Sequence, residues 1–186
     1  MREFLKKTLL ILAFAVIYYL LEEYFNTKIS TKTPGTPIHI TIAHPFMVFI
    51  SIVIDSWVGG IGIAIGSLIL QIQHGQSIIN WVVVICPFLN CLSIGYMMKS
   101  IDLRNEYFGR KLIYRFFKIQ IISTFVCWVI IYPLLNVLMW HKGYLTYLSR
   151  GFWQSLGFIL SCGIATTLFL MLYARSRFTE ANFYRS

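Results

Sequence analysis

Apolar stretches over 5–25, 38–72, 80–98, 119–139 and 151–174 are separated by short polar or basic segments. All but one match a single membrane span of about 20 residues. The stretch 38–72 is too long for one crossing, and its break is set at Asp55 to Gly60, where a charge and two glycines coincide. The pattern predicts an all-α bundle of six transmembrane helices in one domain, over 5–25, 38–55, 61–73, 80–98, 119–139 and 151–174. The third helix is short, so it is expected to tilt, to thin the bilayer locally or to end in a cavity below the outer surface. Its Gly60, Gly62, Ala64, Gly66 and Ser67 form a small-residue face suited to close helix packing. Pro87 interrupts helix four, and Pro133 lies in the last third of helix five.

Charge orients these spans. Twelve of the sixteen Lys and Arg residues fall in three patches: Arg2, Lys6 and Lys7; Lys99 to Lys118; and Arg175, Arg177 and Arg185. Only Lys28, Lys32, Lys142 and Arg150 lie elsewhere. Positive charge concentrates on the cytoplasmic side, so both termini and the 99–118 loop face inward, as six crossings require. An odd number of crossings would put one terminal patch on the wrong side.

Composition agrees. The chain is 58% hydrophobic and 12% charged, with mean hydropathy +0.70, against about 25% charged residues in soluble domains. The net charge of +9 is divided among loops between apolar spans, which points to topology and anionic lipid rather than nucleic acid. Cys86, Cys91, Cys127 and Cys162 all lie within apolar runs, without a metal or redox spacing, and are read as packing residues. The first apolar run ends in Tyr-Tyr-Leu-Leu-Glu-Glu rather than a small-residue cleavage site, so it is expected to remain as helix one.

The sequence holds no HExxH, GxSxG, Walker or CxxC pattern, and no enzyme activity, cofactor or metal is expected. Polar and aromatic residues gather instead at the end assigned as outer. His39 and His44 belong to the first outer segment, Gln71, His74, Asn80 and Trp81 to the second, and Tyr132, Trp140, Tyr144, Trp153 and Gln154 to the third. Such a set makes a mostly apolar pocket with a few directional hydrogen bonds. About half of the aromatics are assigned to the interfacial belt. Asn136 lies a turn inside helix five, where a polar side chain needs a partner or a ligand. The four histidines are read as neutral hydrogen-bonding groups rather than metal ligands.

Several segments in order resemble the substrate-binding S components of energy-coupling factor (ECF) vitamin transporters. His74-Gly75-Gln76-Ser77-Ile78-Ile79-Asn80-Trp81 is similar to a family segment Tyr-Gly-Ser-Pro-Trp-Trp-Ser-Trp. Arg115-Phe116, Gln120, Trp128, Pro133 and Asn136 follow at the family's spacing, and Tyr173-Ala174-Arg175-Ser176-Arg177 is similar to a family ending Tyr-Ala-Lys-Thr-Arg. The nearest branch is one of uncharacterised S components, some members of which are associated with cobalamin, so the resemblance implies cobalamin as the ligand. Its Gly-Pro turn and His-Ala-Leu-Lys-Asp segment are replaced here by Asp55 to Gly60 and Ser67 to Gln71.

The resemblance implies a multi-pass protein of the bacterial plasma membrane that captures a vitamin-like molecule outside and delivers it by toppling in the bilayer. A transmembrane coupling subunit and two ATPase subunits would supply the energy. The helix-one face used against the coupling subunit in that family corresponds here to Leu9, Ala13, Ala15 and Val16, an imperfect AxxxA pattern. A small six-span scaffold similar to the rod-shape protein MreD is the alternative; it predicts partner binding and no small ligand.

Overall fold

The computed structural model describes residues 2–25, 27–29, 38–75, 79–99, 109–140 and 143–183; side chains at 27–29, 38–39 and 177–183 lie outside that description. Six helices alternate in direction: α1 (Arg2–Phe25), α2 (Ala43–Val53), α3 (Ser56–Gln73), α4 (Trp81–Met98), α5 (Arg110–Trp140) and α6 (Tyr144–Phe183). Between α1 and α2, strands β1 (Thr27–Ile29) and β2 (Ile38–Ile40) pair antiparallel, with Lys28 opposite His39. All helices except α2 are long and apolar enough to cross a membrane. With 11 residues, α2 is only about 16 Å long.

Helix two therefore starts at Ala43 rather than at 38. The β-branched Ile38 and Ile40 pair with β1, and the chain turns at Thr41. The Thr41 hydroxyl accepts from the Ala43 N–H at 3.1 Å and donates to Glu22 at 2.6 Å, tying the start of α2 to the end of α1. Helix three starts at Ser56 rather than 61, because the Asp55 side chain caps it by accepting from the Trp57 N–H at 2.8 Å. The two glycines are thus inside α3 instead of in the turn, and Gly59 lies against the Met47 carbonyl of α2. Gly66 abuts the Ala15 carbonyl of α1 in the same way. This small-residue face performs the close packing expected of it. α5 and α6 run beyond their apolar cores, from 110 and to 183.

The start of α1, the α2–α3 turn and the start of α5 share one end of the bundle, here the basic end. There Lys7 Nζ lies 3.1 Å from Asp55 Oδ2. Burial alone would raise the Asp55 carboxyl, but hydrogen bonds from Lys7 and the Trp57 N–H, with the charge of Lys7, hold it below the usual carboxylate range. A depressed folded value means that this contribution to stability is present at neutral pH and is lost as pH falls through that value. The opposite end carries the strands and is called the hairpin end.

Two apolar clusters fill the bundle. One joins Met47, Ile63, Ile94, Phe116 and Leu170, with Tyr18 among its members; the other joins Val82, Cys86, Trp128, Tyr132, Tyr147 and Phe158. Polar pins cross between helices. Asn90 donates to Thr124 at 3.2 Å and accepts from Ser123 at 3.0 Å, and Ser123 also meets Ser93. The Gln120 amide donates to the carbonyls of Phe158 and Ile159 at 3.2 and 3.1 Å. Interhelical hydrogen bonds of this kind contribute about 0.6 to 2 kcal/mol in bilayers. Asn90→Leu should accordingly lower the unfolding free energy by about 1 kcal/mol, read as an earlier thermal transition in detergent.

Within α5, Val126–Ile131 widens to a π-helix, and the Tyr132 N–H reaches back five residues to the Cys127 carbonyl. Pro133 follows directly. Its missing N–H and its ring are incompatible with regular α geometry over the preceding turn, and the widened turn absorbs both.

Candidate functional site

Near the hairpin end a cavity of about 420 Å³ opens between the helices. It is lined by Tyr18, Glu22 and Glu23 of α1, Leu70 of α3 with His74 just after it, Val83 and Pro87 of α4, Trp128 of α5, and Gln154 and Phe158 of α6. Tyr18 belongs to one apolar cluster and Trp128 and Phe158 to the other, so the site lies where the two meet.

One wall is aromatic. Trp128 stacks on Phe158 with ring centroids 4.8 Å apart and planes 21° apart, and His44 of α2 packs behind Phe158 at 4.5 Å. Tyr132 supports Trp128 at 5.4 Å. The π-helical turn that Pro133 imposes contains Trp128, and therefore contributes to where its ring stands.

The polar groups are few and unusual. Trp128 is 2% exposed, yet neither its Nε1 nor the buried Oε1 of Gln154 has a hydrogen-bond partner among the described residues. Such an unpaired buried group costs about 1–3 kcal/mol. One is a donor and the other an acceptor, and both belong to cavity-lining residues. At the mouth, Glu23 lies 3.4 Å from His74 Nε2. A larger concavity of about 520 Å³ between α4 and α5 is lined by Trp57, Leu92, Tyr96, Met97, Ile122 and Val126, with Ser93 and Ser123. Those serines meet each other, so it reads as a lipid-facing groove.

Of the candidates from sequence, His74 and Gln154 line the cavity, and His44 stands directly behind its aromatic wall. Gln71 and Asn80 form a clamp instead: Gln71 accepts from the Asn80 N–H at 2.7 Å and donates to its carbonyl at 3.3 Å, while the Asn80 side chain caps α4. Tyr132 is a packing partner, and Asn136 donates to the Tyr132 carbonyl at 2.8 Å, finding its partner in its own helix. Trp81, Trp140 and Tyr144 are exposed, and Trp153 is half-buried against Phe152. The His39 side chain is outside the described residues. Glu22, Glu23, Tyr18, Trp128 and Phe158 were not selected from sequence; the signal for the glutamates was their position at the end of helix one opposite the basic patches.

On α1, Leu9, Ala13 and Val16 are exposed along one face. Ala15 is 1% exposed, turned inward against Gly66.

Comparison with known proteins follows the same lines. Residues 6–175 match the model of the family described as ECF-type riboflavin transporter, S component. A UPF0397 protein of Lactobacillus acidophilus is 28% identical over 182 residues, covering 95% of this chain and 93% of the relative. Another from Lactobacillus helveticus is 28% identical over 173 residues, covering 90% and 88%. One from Staphylococcus aureus is 28% identical over 156 residues, covering 83% and 82%. No solved structure gives a significant match.

Proposed function

The chain belongs to the family of ECF-type riboflavin transporter S components, and from that premise we propose that its cavity captures a small aromatic micronutrient from outside the cell. Membership makes it a multi-pass protein of the cell membrane and a substrate-binding subunit type that associates with the other subunits of an ECF complex. The family match also favours transport over an MreD-like scaffold. The observation that carries the reading is the cavity itself: a stacked aromatic wall bearing an unpaired buried donor on Trp128 and acceptor on Gln154. Both residues line the cavity, and a flat ligand with hydrogen-bonding edges is the chemistry that matches a donor and an acceptor there.

In this reading the basic end faces the cytoplasm and the cavity faces outside, supported by the excess of Lys and Arg expected on the cytoplasmic side. On α1 the exposed Leu9, Ala13 and Val16 offer the face for a coupling subunit, against which the loaded bundle topples. Size bears on the ligand. At about 420 Å³ the cavity lies in the range of about 300–1,000 Å³ that holds drug-sized ligands. An isoalloxazine or pyrimidine fits that scale, whereas a corrin with its nucleotide arm far exceeds it. Cobalamin, the ligand associated with the nearest branch, gains no support.

Equilibrium binding of the purified protein to riboflavin, thiamine and cobalamin tests the reading. A saturable complex with one of the two small aromatic vitamins is expected, and none with cobalamin. Failure of both small vitamins to bind would overturn it.

A further inference from the structure

The groove of about 520 Å³ between α4 and α5, apolar along Leu89, Leu92, Met97, Ile122, Val126 and Ile131, runs into a smaller recess at the basic end. That recess, of about 150 Å³, lies at the α2–α3 turn and is polar, with Ser51, Asp55 and Lys99 in its lining. Ser56, Trp57 and Tyr96 line both, so the two compartments are continuous. Trp57 and Tyr96 are exposed, and such aromatics stand at headgroup level in a bilayer. A second lysine shares this height. The contact of Ser93 with Ser123 sets α4 against α5, and from it Lys99 is six residues along α4 and Lys118 five residues back along antiparallel α5. Both are therefore about 8 to 9 Å toward the basic end. Lys118 precedes the groove-lining Ile122 by one helical turn and so shares its face. Both lysines are exposed, and neither has an ion-pair partner among the described residues, whereas Asp55 is held by Lys7. The sequence from Lys99 to Lys118 holds six Lys and Arg against two acids, so the segment is positive overall.

We propose that this seam binds one anionic glycerophospholipid of the bilayer, with an acyl chain in the groove between α4 and α5 and the phosphate in reach of Lys99 and Lys118. The inference stands apart from the ligand of the hairpin-end cavity, since it concerns the opposite end of the bundle and shares no lining residue with that cavity. Hydrocarbon suits the groove, because its two central serines bond each other. The flexible ammonium stems of the lysines suit a phosphate, whose charge they attract near a membrane surface. A partner's transmembrane helix would cover the apolar wall and leave both lysines without a counter-charge. The lipid satisfies the apolar and the basic parts together.

Native mass spectrometry of the whole chain, released from vesicles of equal phosphatidylglycerol and phosphatidylcholine, tests this. One retained phosphatidylglycerol per chain is expected, in excess over phosphatidylcholine. Lys99→Gln and Lys118→Gln should each lower that ratio about fivefold, the effect of one basic residue near an anionic lipid surface. Arg2→Gln combined with Lys6→Gln removes two charges from α1, which lines neither compartment, and should leave the ratio unchanged. Ile122→Trp, at a residue 48% exposed and so outside the core, should fill the groove and abolish retention of either lipid. Equal retention of the two lipids by the wild type, or the same fall in the α1 variant as in the lysine variants, would overturn the proposal. A photoreactive side chain in place of Tyr96 that crosslinks in cells to a protein rather than to lipid would overturn it in favour of a partner helix.

Discussion

Trp128→Phe is expected to weaken binding of the small aromatic ligand about tenfold while leaving the bundle folded. Phenylalanine keeps a ring to stack on Phe158, which in the native chain lies 4.8 Å from Trp128, and removes only the Nε1 donor. A hydrogen bond from a buried donor to a ligand contributes about 1–1.5 kcal/mol, close to a factor of ten in affinity. Gln154→Leu removes the acceptor and should cost a similar factor. Trp128→Ala goes further, since it also deletes an aromatic contact of about 0.5–1.5 kcal/mol and opens a cavity in the second apolar cluster. That variant should lose binding and stability together, so the phenylalanine variant separates recognition from folding. Fluorescence or calorimetric titration reads both, and an unchanged affinity in Trp128→Phe and Gln154→Leu would remove these two groups from the site.

The largest effect on stability is expected at Gly151. A Cβ there would stand 1.9 Å from the Trp128 carbonyl oxygen and 3.2 Å from Tyr132 Cδ1. The first obstacle is backbone, so α6 has to move away from α5 as a unit, and overpacking of this kind costs about 1–3 kcal/mol or more. The displaced segment carries Gln154 and Phe158, so binding should fall along with thermal stability. Two other glycines calibrate the effect. At Gly163 a Cβ meets only the Phe117 ring, at 2.8 Å, which can shift, and at Gly143 nothing lies within 4 Å. Thermal unfolding in detergent should therefore rank Gly151→Ala as strongly destabilising, Gly163→Ala as mild and Gly143→Ala as neutral. Equal behaviour of all three would contradict the close α5–α6 contact.

The six helices were legible because a bilayer demands uninterrupted apolar runs, and Asp55 marked the turn between α2 and α3; that α2 is too short to be the full span expected over 38–55 was not. Their limits were less so. Ile38 and Ile40 are as apolar as any helical residue, and only pairing with 27–29 makes them strand. Hydropathy also stops short at the polar ends of α5 and α6, where the backbone stays helical. In the site, polarity was visible and partnership was not. His74 and Gln154 stood out as polar residues beside apolar runs and do line the cavity. Asn136 stood out equally, yet its own helix supplies the Tyr132 carbonyl. Trp128 and Phe158 looked like ordinary span residues, because neither composition nor spacing says which face of a buried helix borders a cavity.

The central claim is that this bundle holds a small aromatic molecule in the cavity beside Trp128 and Gln154. It is tested most directly by purifying the tagged chain from its own membranes, denaturing it, and identifying the released molecules by mass spectrometry. The account predicts one aromatic micronutrient released from the wild-type chain and depleted in a Trp128→Phe, Gln154→Leu double variant that remains folded. Release of the same molecule in equal amount from both proteins, or of none from the wild type even after saturation with riboflavin and thiamine, would contradict it.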